Sequence, residues 1–363
     1  MSILNELLGK AVELEASDVH IKAGQEPYFR IAGSLIESGF DSLDAEAMGM
    51  IARDLIPEPL QAQYHRDREI DFSHIEPGIG RFRVNIFNAQ ARPVIAMRHV
   101  KDAIPTFSDL RLPPQLARLA QAERGIVLVC GTTGSGKSTT LAAIIGEMNR
   151  TRRLRIITIE DPVEYIFTDD QSVITQREVG LDTAGFETSL KHLMRQDPDV
   201  ILIGEMRDAT SIRTALLAAE TGHLVLSTLH AGTAALTVPR MLDVFPHGEQ
   251  DQIRMALAGN LHAAICQRLI PDADGGVVPA VEILINTSTV RKLLEKDKLD
   301  VLGAAIETGR EDGMQSFNQS IYQLIKAGLI TEEAGMRAAT NPESLRMNLQ
   351  GIFLDEDRRI LGG

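Results

Sequence analysis

Nine consecutive residues carry the strongest chemical signal in the sequence. Gly131-Thr132-Thr133-Gly134-Ser135-Gly136-Lys137-Ser138-Thr139 places glycines at both ends of a short loop, then a lysine and a hydroxyl. Glycines let a backbone curl until successive N–H groups point at phosphate oxygens, and a helix that starts at the lysine adds the positive end of its dipole. In such a loop Lys137 reaches the β- and γ-phosphates of a nucleoside triphosphate, and the Ser138 hydroxyl is the expected ligand of Mg²⁺. A flexible Gly-rich turn would need no particular neighbours. Here an apolar strand-like run at 126–130 leads in and a helical stretch at 137–149 leads out, which is the setting phosphate binding requires.

Transfer of a phosphoryl group to water also needs a carboxylate to orient that water. Val200-Ile201-Leu202-Ile203-Gly204-Glu205 reads as a buried strand ending in an acid, and residues 155–159 end the same way in Glu160-Asp161-Pro162, followed by Glu164. Carboxylates at the C-terminal ends of parallel strands face the ligand crevice, so Glu205 and Glu160 are the candidate catalytic acids. Either cluster alone could be a solvated loop; their joint position favours chemistry. His223 and His230 flank a further apolar run at 224–229. His230 follows Ser227-Thr228, where a nucleotide sensor would lie, although a histidine at a strand end is more often structural.

These residues need a scaffold. From residue 125 on, apolar runs (126–130, 155–159, 200–203, 224–229) alternate with helical stretches (137–149, 186–195, 209–220). Strands that are apolar throughout, each followed by a helix, predict a parallel sheet covered on both faces, an α/β domain. A strand at 281–285 and helices from 288 to about 349 follow. The first hundred residues read differently, with a helix at 3–14, strands at 19–21, 28–31, 81–87 and 94–100, and helical spacing over 45–64. That mixture predicts a small α+β domain. The prolines Pro105, Pro113 and Pro114 mark a linker between the two. The expected domains are therefore 1–104, a linker at 105–114, and 115–363.

Bulk properties narrow the partners. The 363 residues are 44% hydrophobic and 24% charged, with mean hydropathy near zero, which suits a folded soluble chain. No apolar run approaches the roughly 18–20 residues that span a bilayer. No signal peptide is expected, and Cys130 and Cys266 are too few for a disulfide framework, so a cytoplasmic chain with reduced structural thiols is predicted. A net charge of −13 and the absence of Trp argue against nucleic acid. The one dense basic run, Arg150, Arg152, Arg153 and Arg155, reads as a solvated helix end.

Four segments in order, GTTGSGKST (131–139), ITIEDPVEY (157–165), LMRQDPDVILIGEMRD (193–208) and TGHLVLSTLHA (221–231), resemble the Walker A, Asp box, Walker B and His box of the type II/IV secretion ATPase superfamily. Within it the chain is similar to the PilT/PilU class of type IV pilus retraction motors. ASDVHIKAG (16–24), GRFRVNIF (80–87) and GMQSFNQSIYQLIKAGLIT (313–331) extend the likeness over nearly the whole chain. The resemblance implies a RecA-like P-loop NTPase domain preceded by a PAS-like N-terminal domain. It implies a homohexamer that hydrolyses ATP with Mg²⁺ and acts at the cytoplasmic face of the inner membrane. Its partners would be a membrane platform protein and, in an accessory role, a paralogous retraction ATPase. Glu205 would be the catalytic Walker B glutamate and Glu160 its acidic partner. Arg83 and Arg98, with Arg195 and Arg207, would be nucleotide-sensing arginines. The lack of a tetracysteine element favours retraction over the assembly and secretion branches. The helix that reads AIRNLIRE in PilT-type motors is here Thr289-Val290-Arg291-Lys292-Leu293-Leu294-Glu295-Lys296, and that departure, with the tail over 342–357, resembles PilU.

Overall fold

The computed structural model of the chain describes residues 3–31, 33–100 and 103–352. Lys101 and Asp102 near the expected linker, and residues 353–357 of the PilU-like tail, lie outside the described residues. Two compact units are present. The first comprises Met1–Ile104, Ile159–Phe167 and Gln176–Ser189; the second comprises Pro105–Thr158, Thr168–Thr175 and Leu190–Gly363.

In the first unit β1 (Asp18–Lys22), β2 (Tyr28–Ile31), β3 (Ser34–Glu37), β4 (Glu69–Glu76), β5 (Gly80–Ala89) and β6 (Arg92–Val100) form one antiparallel sheet, ordered β3-β2-β1-β6-β5-β4. Side chains alternate across a pleated strand, so one face is apolar. Phe82, Val84 and Ile86 from β5 join Ile95 and Met97 from β6 in a core with Leu4, Leu7 and Leu8 of the helix Ile3–Glu13. The helix expected over 45–64 is two, Ala45–Leu55 and Glu58–Asp67. Pro57 disfavours helical backbone at the residue before it, and Ile56 is held extended at ψ 118°. The strand β4 was not expected. Its alternation is present in the first half, with Glu69 and Asp71 exposed and Ile70 and Phe72 buried, but five of its eight residues are polar.

The other face of this sheet is charged. Arg83 and Arg98 stand directly opposite each other on β5 and β6, and Asp18 stands opposite Arg98 on β1. Two like charges in register destabilise a ladder unless countered. Here Asp18 accepts from Arg98 Nε at 2.8 Å, and Glu164 lies 3.8 Å from Arg83. Burial raises the Asp18 carboxyl, but the Ser17 hydroxyl and the Arg98 guanidinium outweigh it and hold the group below its usual range. Beside them Arg81, almost fully buried, pairs with buried Glu178 at 3.4 Å. A buried pair persists only if its remaining valences are satisfied. Glu178 also accepts from Ser73 N (3.0 Å), Ser73 Oγ (2.5 Å) and Val163 N (3.1 Å), which fastens the segment carrying Glu164 to β4.

A second sheet has seven strands: β7 (Gly125–Cys130), β8 (Arg155–Glu160), β9 (Val173–Glu178), β10 (Val200–Ile203), β11 (Leu224–Leu229), β12 (Leu261–Pro271) and β13 (Val277–Ile285). Its order is β13-β12-β7-β11-β10-β8-β9. The neighbours β10, β11, β7 and β12 run parallel, and β13 closes an antiparallel hairpin on β12. Every residue of β7, β10 and β11 is buried, as the unbroken apolar runs required of strands covered on both faces. β12 and β9 were not expected. The helix His247–Asn260 passes directly into β12 at Leu261 with no loop between, so Gly259 and Asn260, the last two residues of the helix, are the only local mark of the change.

The basic run is not a free patch. Arg150 pairs with Glu147, and Arg152 donates to the carbonyls of Ala120 and Ala122 at 2.9 and 2.8 Å, holding the 3₁₀ helix Pro114–Gln121 against the chain. No helix among the described residues is long and apolar enough to cross a membrane. Cys130 and Cys266 are buried free thiols in register on β7 and β12, and burial pushes each pKa up to about 12. Ellman's reagent at pH 8 is therefore expected to titrate no thiol in the folded chain and both after guanidinium denaturation; prompt labelling of the native protein would contradict the burial.

Candidate active site

The second unit gathers most of the chemistry at one edge of its sheet. Parallel register brings the C-terminal ends of β7, β10 and β11 side by side, and these ends lead into Gly131, Gly204-Glu205 and His230 respectively. The loop after β7 turns through left-handed backbone at Gly131, Gly134 and Gly136, with φ of 145°, 77° and 86°. At Gly131 a Cβ would stand 2.6 Å from the Gln267 carbonyl, so this position excludes a side chain on space as well as on φ, and at Gly136 the left-handed φ strains any side chain. The helix Lys137–Thr151 begins at once, and Lys137 Nζ donates to the loop carbonyls of Gly131 (3.2 Å) and Thr132 (3.1 Å). The ammonium thus lies across the loop whose exposed Thr132, Thr133 and Gly134 form its rim. Ser138 and Thr139 follow on the first helical turn, and buried Ser135 packs against Gly131.

Gln267 is a member of this site that the sequence reading missed. It projects from β12, is 3% exposed, and accepts from Thr140 Oγ1 at 2.8 Å, bracing the loop and its helix from behind. Nothing local in its sequence marks it, because its role depends on β12 lying beside β7.

At the end of β10, Glu205 is held on both carboxylate oxygens. Arg207 Nη2 lies 2.7 Å from Oε2 and His230 Nε2 lies 3.2 Å from Oε1. The carboxylate is 18% exposed, while Arg207 and His230 are open to solvent. Charge-assisted contacts of this kind orient a carboxylate as well as stabilise it. The strand ends are stitched beneath it: Ser227 Oγ donates to Ile203 O (2.6 Å), Thr228 Oγ1 to Gly204 O (2.7 Å), and Met206 N to Thr228 O (3.1 Å). On the other side Asp208 caps the helix Ala209–Glu220 by accepting from Ser211 N at 2.7 Å, which fixes the turn that carries Arg207.

Other candidates are placed elsewhere. His223 stands before β11, at the opposite edge of the sheet from Lys137, and its Nδ1 meets Ala218 O at 3.0 Å and Thr221 Oγ1 at 3.1 Å. Arg195 is exposed just after the helix Phe186–Leu193. Glu160, Arg83 and Arg98 belong to the first unit. There Glu160 ends β8, and its Oε1 accepts from Gln176 Nε2 at 3.3 Å.

A cavity of about 380 Å³ opens beside Thr139 and Thr140, lined by Leu110, Leu269, Val277 and Pro279, with Arg111 and Asp272 paired at 3.3 Å across it. Its size and mixed lining suit a small organic ring.

The family profile described as "Type II/IV secretion system protein" matches residues 1–323. The chain belongs to that family. Among its relatives, a twitching motility protein of Neisseria gonorrhoeae is 41% identical over 345 residues, covering 95% of this chain and 92% of that protein. A type IV pilus retraction ATPase, PilT, of Pseudomonas aeruginosa is 40% identical over 341 residues, 94% of this chain and 99% of that one. The crystal structure of the pilus retraction motor PilT with bound ADP superposes with a TM-score of 0.87 at 41% identity, over 95% of this chain and 99% of its own. The phosphate loop and Glu205 of this family member therefore sit in a fold also solved with a nucleotide.

Proposed function

We propose that the chain is an ATP-hydrolysing motor that powers type IV pilus retraction. The observation that carries this reading is the Glu205 carboxylate, fixed by Arg207 and His230 at the same sheet edge as the Gly131–Lys137 loop. The family membership and the retraction ATPases among its relatives support it.

The residues divide the work as follows. Backbone N–H groups of the loop and the helix start take the phosphates, Lys137 turns from its loop carbonyls to the β- and γ-oxygens, and the base occupies the cavity beside Thr139. The hydroxyl of Ser138, on the first turn of the helix Lys137–Thr151, and carboxylate oxygens are hard donors that suit Mg²⁺. When bound, the metal would neutralise charge on the β- and γ-phosphates. Glu205 orients the attacking water, His230 and Arg207 hold Glu205, and Glu160 adds a second carboxylate. Arg83 and Arg98 answer to nucleotide state, with Arg195 in the same role, because a guanidinium can stabilise developing phosphoryl charge. The motor works as a homohexamer on a platform protein at the cytoplasmic face of the inner membrane, with 1–104 and 115–363 as its domains and 105–114 as linker.

Counting surface pili on cells that carry Lys137→Ala in place of the native protein tests this. More pili than wild type are expected, since filaments form but are not withdrawn. Fewer pili would make the motor one of assembly or secretion. An unchanged count would make it an accessory motor or one that serves a system unrelated to pili.

A further inference from the structure

His230 is followed by a loop that the rest of the second unit grips unusually firmly. Three anchors reach its backbone, all from the β12–β13 hairpin. Cys266 Sγ donates to Ala231 O at 3.2 Å, Arg268 Nη2 donates to Gly232 O at 3.2 Å, and Glu282 Oε2 accepts from Ala234 N at 2.5 Å. Cys266 and Glu282 are directly opposed on the two strands, and Arg268 is two residues further along, so all three project from one face.

The same groups hold the C-terminal helices. Glu282, 7% exposed, also accepts the N–H of Phe317, the first residue of the helix Phe317–Lys326. A carboxylate there meets the positive end of that helix. Arg268 lies 3.9 Å over the Phe317 ring and donates to Ala338 O at 2.7 Å and Thr340 Oγ1 at 3.3 Å. Burial pushes the Glu282 carboxyl up, opposed by the Ala234 and Phe317 N–H groups and by Arg268. A buried acid with two backbone donors from separate segments is costly to leave half-satisfied, so the two segments must move together.

We propose that Glu282 is a positioning residue: it ties the start of the helix Phe317–Lys326 to the loop after His230, and through His230 sets the carboxylate of Glu205. A displacement of the C-terminal helices is then transmitted to the attacking water by two hydrogen bonds to one carboxylate, with Arg268 as the parallel arm. The inference rests on the reading of Glu205 and His230 given above. It identifies the C-terminal helices as the place where a mechanical load or a docked partner alters turnover without touching the nucleotide.

The test is a double-mutant cycle on the full chain. Glu282→Gln keeps the shape but loses the charge that holds both N–H groups. It is expected to lower kcat for ATP about 10-fold while leaving KM within about twofold. In a His230→Ala background, itself slowed, the same substitution is expected to cost less than about twofold, because the route through His230 is already cut. Thermal unfolding of each variant identifies any that fail to fold. If Glu282→Gln does not fold, Arg268→Lys, which keeps the charge but loses the fork to Gly232 and Ala338, is judged by the same criterion with an expected loss of about threefold. Equal losses with and without His230, an unchanged kcat, or a change in KM alone would overturn the proposal and leave the active-site reading standing. A His230→Ala chain with wild-type kcat would instead remove the reading of His230, and this proposal with it.

Discussion

Glu205→Gln is expected to bind ATP within about threefold of the native chain while its turnover falls about 100- to 10,000-fold, the span seen when a positioned acid or base is lost. Gln is nearly isosteric with Glu, so the end of β10 keeps its shape and its stitching through Ser227 and Thr228. What changes is the electrostatics. Glu205 now accepts from Arg207 on one oxygen and meets His230 on the other. An amide offers only one acceptor oxygen, and its NH₂ confronts one of those two partners donor to donor. The oxygen that should take a hydrogen bond from the attacking water is then either occupied or misdirected. Binding is expected to be insulated because the proposed site holds the phosphates through the loop and Lys137, not through Glu205. Titration with a fluorescent ATP analogue and a phosphate-release assay separate the two effects. Undiminished hydrolysis in the variant would end the assignment of Glu205 as the catalytic acid.

Lys137→Ala is expected to fail at the earlier step. Removing a charged hydrogen-bond partner of a phosphate costs about 1.5–3 kcal/mol, or about 10- to 100-fold in affinity, and turnover should drop below detection. The native ammonium has a second duty, because it donates to the carbonyls of Gly131 and Thr132 and so ties the loop to its helix. The loop carbonyls are partly exposed, and water replaces the ammonium there at little cost, so the thermal midpoint should move by only a few degrees. A variant that retained full affinity for ATP would mean that the loop does not hold the phosphates as argued. Glu205→Gln and Lys137→Ala therefore split binding from chemistry, and a motor that needs both should lose pilus withdrawal with either.

The phosphate loop was legible because every part of it is local. Glycines, lysine and hydroxyl lie within nine residues, and backbone strain at Gly131 and Gly136 demands the residue type that is present. Glu205 was legible for a similar reason: an apolar run of strand length ends in an acid, and parallel topology sends that end to the crevice. Five of the seven strands of the second sheet were announced by their apolar runs. β12 was not, because its helix runs into it without a loop, and β4 was not, because its two buried apolar residues are outnumbered by polar ones on an edge strand.

By itself, then, the sequence determined the glycine-rich loop between a strand and a helix, the strand-end positions of Glu205 and Glu160, and the presence of an α/β domain that follows an α+β one along the chain. These depend on spacing along the chain and on the period of its apolar residues, which short-range geometry sets. Only the tertiary structure decided which side chains meet. Gln267 braces a loop more than a hundred residues before it, His230 closes on Glu205 from a neighbouring strand, Glu178 is locked to Arg81, and His223 is sent to the far edge of the sheet from Lys137. Each of these pairings is a matter of strand order and register, and register is chosen by how the whole core packs rather than by the residues that it brings together.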